Sequence, residues 1–267
     1  MIPYFEVPPL SLGPIELHAF GLLSALGIYL GARLAARAAR TFAPGSDLAL
    51  VEVAPWLVGG GVIGGHLLHV LGYHPEILAE EGWTSLLRVW DGLSSMGGVL
   101  GALLTLLIFF RIKGWKVRPY LNALALGVAP GWAVARLGCF AAHDHKGVLT
   151  DFPLAVAFPG GARHDLGLYE ALLLGAIAGV LWLLARRPRP EGLLMGVLAI
   201  AYAVPRFFLD FLRATDLPFS DGRIAGLTPA QYTSVLFVGI GAWLLLRARS
   251  LPAVVAGADS SRTTAAA

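Results

Sequence analysis

Stretches of about 20 apolar residues recur along this chain of 267 residues, and they limit the folds that are open to it. A helix needs about 20 such residues to cross the hydrocarbon core of a bilayer. The stretches lie at about 15–36, 49–72, 94–111, 119–139, 167–185, 192–212 and 229–247. They predict an all-α, polytopic membrane protein with about seven transmembrane helices.

The composition agrees with a membrane protein and excludes several other classes. Hydrophobic residues make up 57% of the chain, charged residues make up 14%, and the mean hydropathy is +0.71. The formal net charge is +3, but the basic residues form short clusters between apolar stretches, so nucleic-acid binding is not expected. Cys139 is the only cysteine, which excludes an intrachain disulfide and a cysteine-rich metal site.

No internal repeat divides the chain, and residues 1–252 are expected to form a single transmembrane domain. The first apolar stretch has neither a charged leading region nor a small-residue cleavage site, so it predicts a retained helix rather than a signal peptide. Residues 253–267 are rich in Ala, Ser and Thr, which is typical of a disordered tail, here cytoplasmic.

Lysine and arginine residues indicate how the chain is oriented. Most of them fall in alternate connections between the apolar stretches, and such connections are cytoplasmic by the positive-inside rule. These residues are Arg33, Arg37, Arg40, Arg111, Lys113, Lys116, Arg118, Arg186, Arg187, Arg189, Arg247, Arg249 and Arg262. The amino terminus is therefore predicted to lie outside and the carboxy terminus inside.

The remaining basic residues lie in the outer connections or outer helix ends, near several acidic residues. They are Arg88, Arg136, Lys146, Arg163, Arg206, Arg213 and Arg223, beside Asp91, Asp144, Asp165, Glu170 and Asp210. Ionisable groups are costly in lipid unless they are paired or used. Their concentration on one side predicts a functional site at the outer face.

Two arginines are the strongest candidates within that group. Arg206 lies inside the sixth stretch with Tyr202 and Asp210 one turn away on the same helix face, and Arg136 is at the end of the fourth stretch. Two guanidiniums in one cavity suit a phosphodiester, because each offers a planar fork of donors. The structural alternatives are a snorkelling Arg136 and a simple ion pair between Arg206 and Asp210.

Other outer segments add titratable and anion-binding candidates, each with a structural alternative. Asp91 leads into Gly97 and Gly98 at a helix start, which favours an anion, although an interfacial turn explains the segment equally well. His143 and His145 form an H-x-H pattern, but without an apparent third ligand no metal is expected.

The fifth and last stretches open with further polar residues, and one lies near the start of the first stretch. Arg163, His164, Tyr169 and Glu170 open the fifth stretch, where His164 is either a titratable site residue or an interface residue. His18 either lines the outer cavity or is interfacial. Gln231 follows an N-cap and a first-turn proline, which is a structural pattern first.

In order and spacing these segments resemble the bacterial prolipoprotein diacylglyceryl transferases over about residues 11–247. The segments are 18–22, 88–92 with 97–98, 136–140, 158–160, 163–164 with 168–170, Tyr202 with Arg206, and 226–227 with Gln231. The resemblance implies seven helices around a lipid cavity in the bacterial inner membrane. It implies transfer of diacylglycerol from phosphatidylglycerol to the lipobox cysteine of a prolipoprotein, releasing glycerol phosphate and forming a thioether. Membrane lipids are the remaining partners, and no cofactor is implied.

The resemblance also implies roles. Arg136 and Arg206 match family arginines that hold the phosphate and stabilise the leaving group, and Asp144 and Asp210 stand where the family has Glu. The residues expected to bind substrate are His18, Asp91, Gly97, Gly98, Asp144, Arg163, Tyr169, Glu170, Tyr202, Asp210 and Gln231.

The chain departs from the family pattern at several signature positions. Cys139 and Ala142 replace two Asn residues, Ala135 replaces a Gly, His143 falls at a later Gly, and Phe20 stands in place of a Tyr. Met96 replaces the histidine that is the usual candidate for the base, and a thioether accepts no proton at useful pH. The expected substitutes are His143, His145 and His164, with the first two favoured because they follow Arg136.

Two alternatives to a diacylglyceryl transferase follow from these departures. One is a divergent paralogue with the same lipid cavity and another acceptor. The other is a catalytically silent lipid-binding protein or transporter, although a transporter would more often contain inverted repeats. The presence of Arg136, Arg206, Asp144, Arg163 and His164 favours an enzyme.

Overall fold

The computed structural model describes residues 1–13, 15–43, 47–217, 223 and 225–252. Within these ranges the chain forms eight α-helices and six short strands. The helices are α1 Ala19–Phe42, α2 Asp47–Leu68, α3 Pro75–Glu81, α4 Ser95–Ile112, α5 Leu121–Ala142, α6 Leu166–Ala185, α7 Leu193–Leu209 and α8 Pro229–Ala248. The strands are β1 Ile2–Pro3, β2 Leu10–Leu12, β3 Ile15–Leu17, β4 Lys146–Leu149, β5 Val156–Phe158 and β6 Gly161–Asp165. The predicted tail at 253–267 lies outside the described residues.

Six helical segments of the described chain are long and apolar enough to cross a membrane, which confirms the polytopic helical class. They are Ala19–Phe42, Ala49–Tyr73, Arg118–Ala142, Leu166–Ala185, Leu193–Leu212 and Pro229–Ala248. The predicted count of about seven is corrected to six segments of full length. The stretch at 94–111 corresponds to α4, Ser95–Ile112, which is shorter than the others. Its 18 residues rise about 27 Å, against a hydrocarbon core of about 30 Å.

The first span also begins later than predicted. Residues expected to open it form β3, which pairs antiparallel with β2 so that Leu10 lies opposite Leu17. Apolar and polar residues alternate in both strands, and Gly13 joins them with a φ of 65°, which suits glycine. The helix α1 therefore begins at Ala19 and continues to Phe42.

Glycines hold the helices together in facing pairs. Gly27 and Gly31 of α1 lie against Gly127 and Gly131 of α5, and a Cβ added at Gly131 would come within 2.5 Å of the Gly27 carbonyl oxygen. Small residues at a four-residue spacing let two helix backbones approach closely, which stabilises helix pairs in membranes. The same arrangement joins α2 to α4 through Gly60, Gly64, Gly97 and Gly101.

The helix α5 lies at the centre of the bundle. It packs against α1, α6 and α7, and its small side chains Ala125 and Ala129 are fully buried among leucines of the neighbouring helices. The apolar partners Leu174, Leu181 and Leu194 are also fully buried. Close packing here fixes where the ends of α5, α6 and α7 lie relative to one another.

A small sheet covers the helix ends at which the candidate site lies. Its strand order is β1-β5-β6-β4, with β1 parallel to β5 and the other pairs antiparallel. The strand β6 leads directly into α6, and β4 follows shortly after α5. An isolated bridge between Gly147 and Arg213 ties the sheet to the segment after α7. The sheet thereby connects the end of α5, the start of α6 and the end of α7.

Candidate active site

Four charged side chains are buried together where these helix ends meet. Arg136 and Arg206 are 5% and 6% exposed, and Glu170 and Asp210 are fully buried. Arg136 comes from the last turns of α5, Glu170 from the first turns of α6, and Arg206 and Asp210 from the end of α7. The structure therefore brings together the two arginines that the sequence singled out.

Glu170 lies between the two arginines. Its Oε2 atom is 3.1 Å from Arg136 Nε and its Oε1 atom is 3.3 Å from Arg206 Nε. Tyr202 donates a hydrogen bond of 2.7 Å to Oε2. Arg136 Nε and Glu170 Oε1 have no hydrogen-bond partner of suitable geometry among the described residues. The carboxylate thus holds both guanidiniums mainly by charge.

Asp210 anchors Arg206 from the other side. Arg206 Nη1 donates to Asp210 Oδ1 over 2.5 Å, and the Thr228 hydroxyl donates to Asp210 Oδ2. Thr228 is the N-cap of α8 and forms a reciprocal capping box with Gln231. Asp210 therefore joins the end of α7 to the start of α8, and Gln231 acts here through the cap.

Arg213 lies at the edge of this cluster. Its Nε atom is 4.0 Å from Asp210 Oδ1. Burial lowers the pKa of the Arg213 guanidinium, and the nearby Asp210 carboxylate opposes that effect.

His145 contacts Arg136 directly. Its Nε2 atom lies 3.1 Å from Arg136 Nη1, and its Nδ1 atom is hydrogen-bonded to the Asp144 carboxylate. Arginine only donates hydrogen bonds, so Nε2 is the acceptor and the ring proton lies on Nδ1, toward Asp144. The proton-free nitrogen of His145 therefore faces Arg136. Asp144 is 39% exposed at its side chain, so this edge of the site is open.

His143 has a different environment. Its Nδ1 atom lies 2.7 Å from Asp165 Oδ2, and its Nε2 atom lies 3.2 Å from the Phe5 carbonyl oxygen. Aromatic rings surround it, including Tyr4 and Phe158 at centroid distances of 5.4 and 5.1 Å. Both ring nitrogens thus have protein partners, and the residue fastens the amino-terminal segment to the end of α5.

Arg163 and His164 lie on β6, away from the arginine pair. Arg163 forms two hydrogen bonds of 3.0 and 2.6 Å with Asp216, and this pairing raises the pKa of the guanidinium. His164 Nδ1 is 2.9 Å from the Tyr169 hydroxyl, and burial lowers the His164 pKa. The apolar cavity beside them is lined by Phe152, Leu154, His164, Tyr169, Leu172, Leu209 and Leu212.

Four further predicted residues lie outside the buried cluster. His18 is exposed at the start of α1, 4.0 Å from Glu16, and Asp91 is exposed, 4.0 Å from Arg88. Gly97 and Gly98 belong to the contact between α4 and α2, and a Cβ at Gly97 would lie 2.3 Å from the Gly64 carbonyl oxygen. In this structure the two glycines serve helix packing.

Sequence reasoning did not select three residues that contact the cluster. Arg213 follows Arg206 by seven residues, and this spacing predicts that both side chains lie on the same helix face. Cys139 contacts Arg136, with 3.6 Å between Sγ and Nη1, and lies one turn away from it on α5. Thr228 reaches Asp210 from 18 residues away, a contact that only the tertiary structure brings about.

Comparison with known proteins points to one family. A sequence model described as "Prolipoprotein diacylglyceryl transferase" matches residues 9–247. A relative from Azotobacter vinelandii, named phosphatidylglycerol--prolipoprotein diacylglyceryl transferase, is 34% identical over 92% of this chain and 98% of its own length. Proteins of the same name from Nitratidesulfovibrio vulgaris and Agrobacterium fabrum are 30% and 32% identical. These alignments cover 93% and 94% of this chain, and 97% and 95% of the relatives.

The match extends over almost every described element, from β2 to α8, and includes Arg136, Glu170 and Arg206. A single family model thus covers residues 9–247 without a gap between domains. The chain belongs to the prolipoprotein diacylglyceryl transferase family.

Proposed function

We propose that this membrane protein transfers the diacylglyceryl group of phosphatidylglycerol to the lipobox cysteine of a prolipoprotein. The observation that carries the proposal is the pair Arg136 and Arg206, buried together on Glu170. Relatives named for this reaction align with more than nine-tenths of the chain, which supports the same substrates here.

The arginine pair binds the phosphate of phosphatidylglycerol. Glu170 contacts both guanidiniums through their Nε atoms, and this fixes the planes in which their remaining donors lie. Because each arginine is held before substrate arrives, little reorganisation is needed when charge develops on the departing phosphate. The head-group glycerol carries hydroxyl donors, and Glu170 Oε1, which lacks a hydrogen bond among the described residues, can accept from one of them.

His145 takes the proton of the incoming thiol. The thiolate then forms a sulfur–carbon bond with the glyceryl carbon, the bond from that carbon to the phosphate oxygen breaks, and glycerol phosphate leaves. Asp144 holds the ring proton of His145 on Nδ1, so that Nε2 is available beside Arg136. His143 is less suited to this step, because both its ring nitrogens face acceptors, the Asp165 carboxylate and the Phe5 carbonyl oxygen, so neither presents a lone pair to a thiol.

The site is proposed to face the outside of the cell membrane. The helix ends that carry basic clusters, at the carboxyl ends of α1, α4, α6 and α8, lie at the other ends of their helices from the cluster around Glu170. With α4 crossing as a seventh, shorter helix, the positive-inside rule then puts the amino terminus outside and the carboxy terminus in the cytoplasm. The two substrates, a lipid and a membrane-anchored prolipoprotein, reach such a site from within the membrane plane.

Complementation tests the proposal. A bacterium depleted of its own diacylglyceryl transferase receives the wild-type chain, Arg136→Ala, Arg206→Ala, or the exposed control Arg223→Ala. Mass spectrometry then measures the amino-terminal cysteine of one lipoprotein. We expect diacylglyceryl-cysteine with the wild type and Arg223→Ala, and its loss with both buried variants.

Two other results would redirect the assignment. If the wild-type protein inserts into the membrane and consumes phosphatidylglycerol but does not modify the lipoprotein, it uses another acceptor. If it binds phosphatidylglycerol vesicles without turnover, and Arg206→Ala weakens that binding, the chain is a lipid-binding protein.

A further inference from the structure

We infer that Cys139, Asp144 and His145 form a binding site for a zinc ion beside Arg136. The three residues offer a sulfur, a carboxylate oxygen and an imidazole nitrogen, and these donor atoms all lie within 4.8 Å of one another. Donors around a tetrahedral zinc ion are separated by about 3.5 Å, so modest side-chain rotation is enough to close the site.

The local backbone explains why these three residues meet. Cys139 lies in the last turn of α5, which ends at Ala142, and His143 follows with a φ of 48°. This left-handed residue reverses the chain, which brings His145 back against the helix end from which Cys139 projects. The H-x-H pattern therefore does not act as a pair, because His143 points to Asp165 while His145 joins Cys139.

The chemistry of the donors selects the type of ion. A thiolate and an imidazole favour zinc and related borderline ions over magnesium or calcium, which prefer oxygen ligands. Thiolate and carboxylate together also neutralise a divalent charge. Cys139 is buried, but the Asp144 side chain is 39% exposed, which provides an entry path and a fourth position for water.

A bound ion competes with Arg136. Arg136 Nη1 is 3.1 Å from His145 Nε2 and 3.6 Å from Cys139 Sγ, so zinc and the guanidinium use the same two atoms. The ion pair of Arg136 with Glu170 uses a different atom, Nε, so moving Nη1 away from His145 does not require breaking it. Zinc therefore occupies the proposed proton acceptor and shifts one phosphate-binding arginine, so it inhibits transfer. Only this inhibition depends on the proposed function; metal binding does not.

Cobalt binding to the purified full chain, freed of any affinity tag and held in lipid nanodiscs, tests the site. We expect one equivalent of Co²⁺ to produce a near-ultraviolet thiolate-to-cobalt absorption band that Zn²⁺ abolishes. Cys139→Ser removes the band, and His145→Gln weakens cobalt binding at least tenfold. His74→Gln, at an exposed histidine 2.9 Å from Glu76, is the matched control and leaves the band unchanged.

Two results would overturn the zinc site. The first is a folded wild type without a cobalt band at one equivalent. The second is a cobalt affinity that is unchanged in His145→Gln, because Cys139 is the only thiol and its loss removes the band wherever the other ligands lie. If melting curves show that His145→Gln does not fold, the cobalt affinity of Asp144→Asn decides.

A transfer assay with added Zn²⁺ separates the two proposals. Inhibition of the wild type at zinc concentrations that displace cobalt supports the overlap of the two sites. Full activity at those concentrations would contradict the overlap with Arg136. If cobalt binds but no transfer is detected without zinc, the proposed function fails and the metal site stands.

Discussion

Replacing Glu170 with Gln tests whether this carboxylate organises the arginine pair. Glu170 is fully buried, with ion pairs of 3.1 and 3.3 Å to two guanidiniums and a hydrogen bond of 2.7 Å from Tyr202. A glutamine keeps the shape but turns an amide donor toward one arginine, which has no acceptor to offer. Removing one partner of a buried ion pair costs about 3–5 kcal/mol, because the other charge is left uncompensated.

That cost converts to a melting temperature lower by about 6–20 °C, at about 2–4 °C per kcal/mol for a chain of this size. The assay is thermal unfolding in detergent, followed by tryptophan fluorescence, together with the transfer rate at a temperature where both proteins are folded. Transfer is expected to fall at least tenfold, because both phosphate ligands lose their common support.

Glu81→Gln is the matched control for the Glu170 variant. Glu81 pairs with Arg88 at 2.7 Å, but both side chains are more than two-fifths exposed. Exposed ion pairs contribute only about 0–1 kcal/mol. If Glu170→Gln melts within the range of this control and transfers at the wild-type rate, the reasoning about the buried carboxylate is refuted.

Three further substitutions probe separate parts of the structure. His145→Gln is expected to lower the transfer rate about 100-fold or more through loss of the proton acceptor, whereas His74→Gln leaves it unchanged; equal rates would remove His145 from the mechanism. Gly131→Leu is expected to prevent stable assembly of α1 with α5, seen as low yield of folded protein, whereas Gly175→Leu, which has open space around it, is tolerated. Burial lowers the pKa of His164, so its contribution to stability is present above the unfolded-state pKa of about 6.5 and is lost below it. His164→Gln should therefore show a smaller drop in melting temperature than the wild type between pH 7 and pH 5, and an equal drop would contradict this.

The membrane class and most helix positions follow from apolar length alone. The predicted stretch at 167–185 and the helix Leu166–Ala185 differ by one residue at the start, because a long apolar segment has few alternatives in lipid. The prediction was wrong where length was marginal. It counted α4 among the spans of full length, and it placed the start of α1 in residues that pair as a strand instead.

The site was predictable in part. Arg136 and Arg206 were selected because a charged residue in an apolar segment needs a partner, and they do meet. The common partner Glu170 was a candidate, but its position between them was not predictable, since it depends on how α6 packs against α5 and α7. The histidines were the least predictable, because neighbouring residues in a turn point in different directions.

The sequence by itself determined which charged residues lie in apolar segments, where burying them costs free energy, and which helices carry them. A buried charge is expensive wherever it lies, so its presence in an apolar stretch already signals a site. Only the tertiary structure decided which groups meet: the left-handed backbone at His143 sends its ring toward Asp165 and turns His145 toward Arg136. Contacts between helix ends depend on helix packing and on individual backbone angles, and the local amino-acid composition determines neither.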